Sequence, residues 1–315
     1  MLVKSSIDLI HHDDFLNLSG FVENINVYIK IEGLNIGSSI KIKAAKYMIE
    51  SLENEGKLKG GAKIIESSSG NLGLALSIIC ACKKYNFTCV SDPNISPQTA
   101  RMIRAYGAEL IIVNQKDNNG GYLGKRLELI AHKLDEDQEL IWINQYENRD
   151  NVSAHYNTTG PEILNNIPSV DYLFIGAGTT GTLGGVSRYI KEHSPRTKII
   201  AIDTLGSVTF NGKAGKRKIP GLGTSKAPYI SKFSMYDDLI RIPEENTIRV
   251  CHELAKQGLM VGGSTGTVLC GVRTYKSYIE KNSNVVVISP DMGDRYIDTI
   301  YNPQWVFDNF PGLEF

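Results

Sequence analysis

Short apolar runs rich in β-branched residues alternate with longer stretches of helical spacing along nearly the whole chain. Residues 26–31 (NVYIKI), 62–65, 87–91, 109–113 and 140–143 read as strands. Between them, residues 40–52 place Ile40, Ala44, Ala45, Met48, Ile49 and Leu52 on one helical face, and 74–82, 98–106 and a segment ending near Leu134 also read as helices. A second series follows, with strands at 171–175, 198–202, 239–242 and 285–289 and helices at 183–193, 244–257 and 268–279. Alternation of this kind predicts mostly parallel sheets with helices on both faces. Two such series in 315 residues predict two three-layer α/β domains, with the loops at the carboxyl ends of their strands facing a shared cleft.

The polar residues between these elements carry the chemistry. ESSSGNLG (66–73) joins a strand to a helix and offers hydroxyls, an amide and free N–H groups at a helix N-terminus, which suits a carboxylate or phosphate. The same residue types are ordinary caps and turns, so the loop alone does not decide between the two. GAGTTGT (176–182) is a second loop of this kind, and VGGSTGT (261–267) a third, with Ser264 where a loop enters a helix. Gly176, Gly178 and Gly181 also fit G-x-G-x-x-G, and Asp203 stands where a dinucleotide site needs an acid, which keeps a dehydrogenase open. Lys41 begins a helix, where the dipole disfavours a cation. Residues 206–227 form a long loop rich in Gly and Lys, expected to be functional or mobile; its basic run (Lys213, Lys216, Arg217, Lys218) suits either a solvated loop or the attraction of anions.

Composition narrows the partners. Lys plus Arg and Asp plus Glu both total 34, which gives no electrostatic case for nucleic acid or a membrane surface and leaves small molecules. The first fifteen residues lack the apolar core of a secretion signal, and a cytoplasmic protein is expected. The five cysteines (Cys80, Cys82, Cys89, Cys251, Cys270) sit mostly in apolar segments without a zinc spacing and read as free thiols. The six histidines, including His155, read as surface or internally satisfied side chains, and no Gly-x-Ser-x-Gly elbow is present. Three hydroxyl-rich loops and one lysine at a helix start fit an aldehyde cofactor with a phosphate handle.

The ordered set SIK (39–41), ESSSGNLG (66–73), GAGTTGTLGG (176–185), PGLG (220–223), GGSTGT (262–267) and GDRY (293–296) resembles the cysteine synthase/cystathionine β-synthase family of fold-type II pyridoxal-phosphate enzymes across residues 26–300. GGYLGKR (120–126), WINQYEN (142–148), SDPNISP (91–97) and DMGDRYID (291–298) are similar to a siderophore-pathway branch. That branch joins the amino group of glutamate to the β-carbon of O-phosphoserine on the way to 2,3-diaminopropionate.

The resemblance implies a homodimer with pyridoxal phosphate in the cleft between a smaller, mobile domain (36–147) and a larger one (1–35 plus 148–315). It implies that Lys41 holds the cofactor covalently, that Asn71 meets its 3′-oxygen, that Gly178, Thr179, Thr180, Gly181 and Thr182 cradle its phosphate and that Ser264 meets the pyridine nitrogen. Ser68, Ser69 and Gln145 would hold the substrate α-carboxylate, and Arg126 and Tyr146 the substrate phosphate. The sequence departs from relatives at IHHDDFL (10–16), which replaces I-G-x-T-P-L, at Ser68 for the common Thr, and at the residues after Lys41. GAGTTGT is nearer the cysteine synthases, which use O-acetylserine and sulfide. A cysteine synthase or cysteine lyase is the alternative enzyme, and a catalytically silent binding scaffold the alternative class.

Overall fold

The computed structural model describes residues 3–10, 13–117 and 121–315. His11 and His12 of the altered N-terminal motif and Gly120 of GGYLGKR lie outside the described residues, as do Asn118 and Asn119. In chain order the strands are β1 (Phe15–Asn17), β2 (Asn26–Ile31), β3 (Lys63–Ser67), β4 (Asn86–Ser91), β5 (Glu109–Ile112), β6 (Leu140–Trp142), β7 (Tyr172–Gly176), β8 (Lys198–Thr204), β9 (Asp238–Ile242) and β10 (Asn284–Ser289). The helices are α1 (Lys41–Asn54), α2 (Asn71–Lys83), α3 (Pro97–Ala105), α4 (Leu123–Glu136), α5 (Asp150–Asn157), α6 (Thr159–Asn166), α7 (Gly181–His193), α8 (Glu244–Lys256), α9 (Gly263–Tyr275) and α10 (Pro303–Asn309). The described residues group into two compact units, one of 3–10 with 35–117 and 121–151, the other of 13–34 with 152–315. Residues 3–10 thus group with the smaller unit.

The smaller unit carries a four-stranded parallel sheet in the order β5-β4-β3-β6. The order reverses direction at β3, so the loops after β3 and β6 lie at the switch point, where a parallel sheet leaves room for a ligand. One face packs Ile65, Val90 and Ile130 with Leu129, Leu134 and Trp142. Helix α2 is buried from Leu72 to Cys80, and its apolar character on all sides suits a helix with neighbours all round.

The larger unit has six strands in the order β1-β2-β10-β7-β8-β9, parallel apart from the antiparallel edge strand β1. Its switch lies between β10 and β7, which places the loop after β7 at the ligand position. Alternate residues Val27, Ile29, Phe174, Ile200, Ile202, Val285 and Val287 pack with Val268, Leu269 and Val272 of α9. The intervening residues Leu173, Ile175, Ile199, Ala201, Val286 and Ile288 are buried as well. Burial on both faces explains why these strands read as unbroken apolar runs.

The segment 205–228 has neither helix nor strand, as expected, but it is tied down. Val208 N–H donates to the Thr224 carbonyl (3.0 Å), Thr209 and Thr224 hydroxyls meet at 2.9 Å, and the N–H groups of Lys218 and Ile219 donate to Glu244 (2.9 and 2.7 Å). The third glycine loop differs from the expected turn. Helix α9 already begins at Gly263, so the small residues of GSTGT form its first turns, and Cβ atoms at Gly263 and Gly266 would collide with Ile219 and with Cys251. Among the described residues no helix is long and apolar enough to cross a membrane. Phe174 is fully buried at the centre of the larger core. Phe174→Ala is expected to lower the unfolding free energy of that unit by about 3–5 kcal/mol in urea titrations followed by tryptophan fluorescence and circular dichroism.

Candidate active site

Lys41 is the first residue of α1, after Ile40 at a cap position that supplies no side-chain hydrogen bond. The loop before it is held by Asn35, whose Oδ1 accepts from Gly37 N–H (2.8 Å) and whose amide donates to the Ser39 carbonyl (3.2 Å). Lys41 is half-buried, and burial brings its amine down to about 8, with the negative charge of Glu66 opposing the fall. An amine so tuned is a nucleophile and base near neutrality.

Glu66 ends the apolar part of β3, and Ser67 to Gly70 lead into α2. Ser68 Oγ accepts from the N–H groups of Gly70 (3.2 Å) and Gly73 (3.0 Å), so its hydroxyl shapes the start of the helix. Ser69 and Asn71 are half-buried beside it. Gln145 follows Asn144, a left-handed residue (φ 52°) in the turn after β6, and its amide donates to the Ser67 carbonyl (3.0 Å) and Glu66 Oε1 (3.4 Å). The loop after β3 and the turn after β6 are thereby fastened together at the switch point, with Tyr146 half-buried next to Gln145. Burial pushes the Glu66 carboxyl up to about 8, against the hydrogen bonds from Asn144, Gln145 and Ser67.

Arg126 lies in the first turns of α4, only 6% exposed. Its Nε stands 3.4 Å from Asp92 Oδ2, and Nε and Nη1 are buried with no hydrogen-bond partner among the described residues. Buried guanidinium donors without acceptors favour an anion.

In the larger unit the loop after β7 presents a helix N-terminus. Thr180, at the cap of α7, is left-handed (φ 70°), and its hydroxyl donates to the Thr179 carbonyl (2.6 Å) without capping the helix. The first N–H groups of α7 are thus left without a side-chain cap, which is the arrangement that binds phosphate. Gly178 has to be glycine, because a Cβ there would sit 2.7 Å from the Gly221 carbonyl oxygen. Gly221 itself has φ +111°, and a Cβ on it would lie 3.3 Å from Ser264 Cβ. The loop 178–182, the segment 220–223 and Ser264 therefore meet in one place. Thr182 Oγ1 lies 3.3 Å from Nε2 of the buried His155, whose Nδ1 meets Thr159 Oγ1 at 3.1 Å, so His155 is an internally satisfied histidine as expected.

The dinucleotide alternative fails on geometry. Asp203 is fully buried, and its Oδ1 accepts from Thr204 N–H at 2.8 Å, so it cannot reach a ribose. Two buried acids, Glu66 and Asp92, had no assigned role in the sequence reading. Their signal was present, since each is a carboxylate at the end of an apolar strand run, where an uncompensated charge is costly.

Comparison with known proteins places this geometry in context. Residues 14–291 match the family described as pyridoxal-phosphate dependent enzyme. The chain is 36% identical over 310 residues to the N-(2-amino-2-carboxyethyl)-L-glutamate synthase of Ralstonia nicotianae, covering 97% of this chain and 92% of that protein. Among solved structures, an O-ureido-L-serine synthase superposes with a TM-score of 0.88 at 29% identity, covering 99% of this chain and 97% of that one. A hydrogen sulfide-producing enzyme from Fusobacterium nucleatum superposes with a TM-score of 0.87 at 32% identity, covering 94% and 100%.

In the larger unit the uncapped helix and the close approach of Gly178 to Gly221 fit a phosphate group, and in the smaller unit, taken by itself, the Lys41 amine fits an aldehyde. Gly178→Ala is expected to weaken pyridoxal phosphate binding by roughly tenfold or more, through displaced N–H donors, while far-ultraviolet circular dichroism stays unchanged. Unchanged affinity in an absorbance titration would contradict the cradle.

Proposed function

This chain belongs to the pyridoxal-phosphate dependent enzyme family, and from that premise we propose that it replaces the phosphate of O-phospho-L-serine with the amino group of L-glutamate. The product is N-(2-amino-2-carboxyethyl)-L-glutamate, a precursor of 2,3-diaminopropionate for siderophore synthesis. The coarser class is a β-replacement enzyme of the cysteine synthase family. The observation that carries the reading is the 36% identity, over nearly the whole chain, with the Ralstonia nicotianae synthase, together with a lysine at the start of α1.

Pyridoxal phosphate supplies the electron sink for charge that develops at the substrate Cα. Lys41 would hold the cofactor aldehyde, and its Nζ would take the substrate Cα proton. Asn71 would meet the cofactor 3′-oxygen, residues 178–182 would hold its phosphate, and Ser264 would offer the pyridine nitrogen a hydroxyl. In place of a carboxylate, the Ser264 hydroxyl would favour loss of the β-substituent over racemisation. Ser69 and Gln145 bind the substrate carboxylate on a loop that Ser68 shapes. Arg126 and Tyr146 would receive the phosphate as the Cβ–O bond breaks; a C–N bond would then form between Cβ and the neutral glutamate amine, which loses a proton to solvent, and Lys41 Nζ would return its proton to Cα. The same reading carries a homodimeric, cytoplasmic enzyme.

One observation favours a second donor. Asp92, 3.4 Å from Arg126 Nε, already offsets the guanidinium charge, which suits the less charged leaving group of O-acetylserine. Steady-state rates with each donor decide between them. Arg126→Ala is expected to lower kcat/KM for O-phosphoserine by about 100-fold, roughly 2.7 kcal/mol of lost charge-assisted binding, and for O-acetylserine by less than about fivefold. Equal losses would remove the phosphate role from Arg126.

A further inference from the structure

Residues 217–224 of the larger unit pack against the loop after β7. Gly223 N–H donates to the Ala177 carbonyl at 2.8 Å. A Cβ on Gly176 would sit 2.7 Å from Leu222 Cδ2, and one on Gly178 as close to the Gly221 carbonyl oxygen. This strap therefore backs the residues that lead into the uncapped start of α7. It belongs to no helix or strand, and Gly221 (φ +111°) and Gly223 (φ +71°) adopt conformations that glycine takes most freely. Ordering such a stretch costs entropy, so side chains have to hold it. Glu244 holds its start, accepting from the N–H groups of Lys218 (2.9 Å) and Ile219 (2.7 Å). Arg217 holds its end: Nη1 donates to the Leu222 carbonyl at 2.9 Å and so closes residues 217–222 into a loop. Gly223 makes room for the guanidinium, since a Cβ there would lie 2.7 Å from Nη1.

The cations of the basic run are thus unlike one another. Lys213, Lys216 and Lys218 are exposed, and Lys218 Nζ donates to the Asn309 carbonyl at 2.6 Å. Arg217 is half-buried and turned to the backbone of the strap. We propose that Arg217 is a positioning residue for the cofactor phosphate. It acts through the Leu222 carbonyl, fixing the backbone of residues 221–223 on which residues 176–178 rest, and so keeps the first N–H groups of α7 aimed at one point. Donors fixed in this way need no reorganisation when the anion arrives. The inference deepens the pyridoxal phosphate reading and rests on it, and no bond is made or broken at Arg217. A run that only attracted anions would act through charge, and its members would share the effect.

The test uses the full-length chain freed of cofactor. Pyridoxal phosphate is titrated into wild type, Arg217→Met, Arg217→Lys and Lys216→Met by visible absorbance, and the phosphorus resonance of the bound cofactor is recorded at saturation. Arg217→Met keeps most of the stem and loses the donors, and its Kd for pyridoxal phosphate is expected to rise about tenfold. Its bound phosphorus resonance moves from the wild-type position while far-ultraviolet circular dichroism stays unchanged. Arg217→Lys keeps a donor on a shorter stem without the planar fork, and an intermediate loss of about threefold is expected. Lys216→Met removes the same charge one residue away and is expected to cost less than about twofold. An Arg217→Met protein that binds as wild type does, or an equal loss in Lys216→Met, overturns the proposal. Should Arg217→Met not fold, Arg217→Lys decides alone: it keeps the charge, so a loss larger than that of Lys216→Met supports the positioning role and an unchanged affinity overturns it. Wild type that develops no visible band with saturating pyridoxal phosphate sinks the cofactor reading, whereas a wild type that binds, with Arg217→Met binding equally well, sinks the role of Arg217 alone.

Discussion

An amine at the first residue of a helix stands where the backbone dipole and burial both oppose its charge, and the chemistry proposed for this protein depends on that opposition. Lys41 occupies this position, and the effect of burial outweighs the attraction of Glu66, leaving an amine that changes state at about 8. A surface lysine is almost wholly protonated at neutral pH, so far less of its amine is free to attack an aldehyde or accept a proton from carbon. The surrounding structure serves this requirement. Asn35 fixes the loop that delivers Lys41, and Gln145 fastens the β3 and β6 loops around Glu66.

The second requirement is a seat for a phosphate, and the larger unit meets it with backbone. At the switch point of its sheet, α7 begins without a side-chain cap, behind a threonine held left-handed and a glycine pressed against the Gly221 carbonyl. Backbone N–H groups fixed by a buried parallel sheet need no reorganisation when an anion arrives. This is why the chain spends glycines at 178 and 221, where any side chain would fill the approach. Both sheets obey the same rule: strand order dictates where loops diverge, and the hydroxyl-rich stretches occupy those points.

Much of this was legible in the residues. The parallel strands, buried on both faces, show as apolar runs such as NVVVIS and YLFIG, and their boundaries in the structure fall within two residues of the expected ones. Helices α5 and α6 were not legible, because DNVSAHYN lacks an apolar stripe and Gly160-Pro161 sits in the first turn of α6. The third glycine loop was misread as a turn. Its glycines serve close packing of α9 against Ile219 and Cys251, a constraint set by residues distant in sequence. Ser68 took the capping role that competes with ligand binding at any helix start. Glu66 and Asp92 show in the sequence as carboxylates at the ends of apolar runs, but their burial, and the approach of Asp92 to Arg126, arise only on folding.

The central claim is that Lys41 is the residue on which the cofactor sits. Borohydride reduction of the protein loaded with pyridoxal phosphate, followed by proteolysis and peptide mass mapping, tests it directly. The account predicts a single pyridoxyl group on Nζ of Lys41. A pyridoxyl group on another lysine, or none under saturating cofactor, would contradict it.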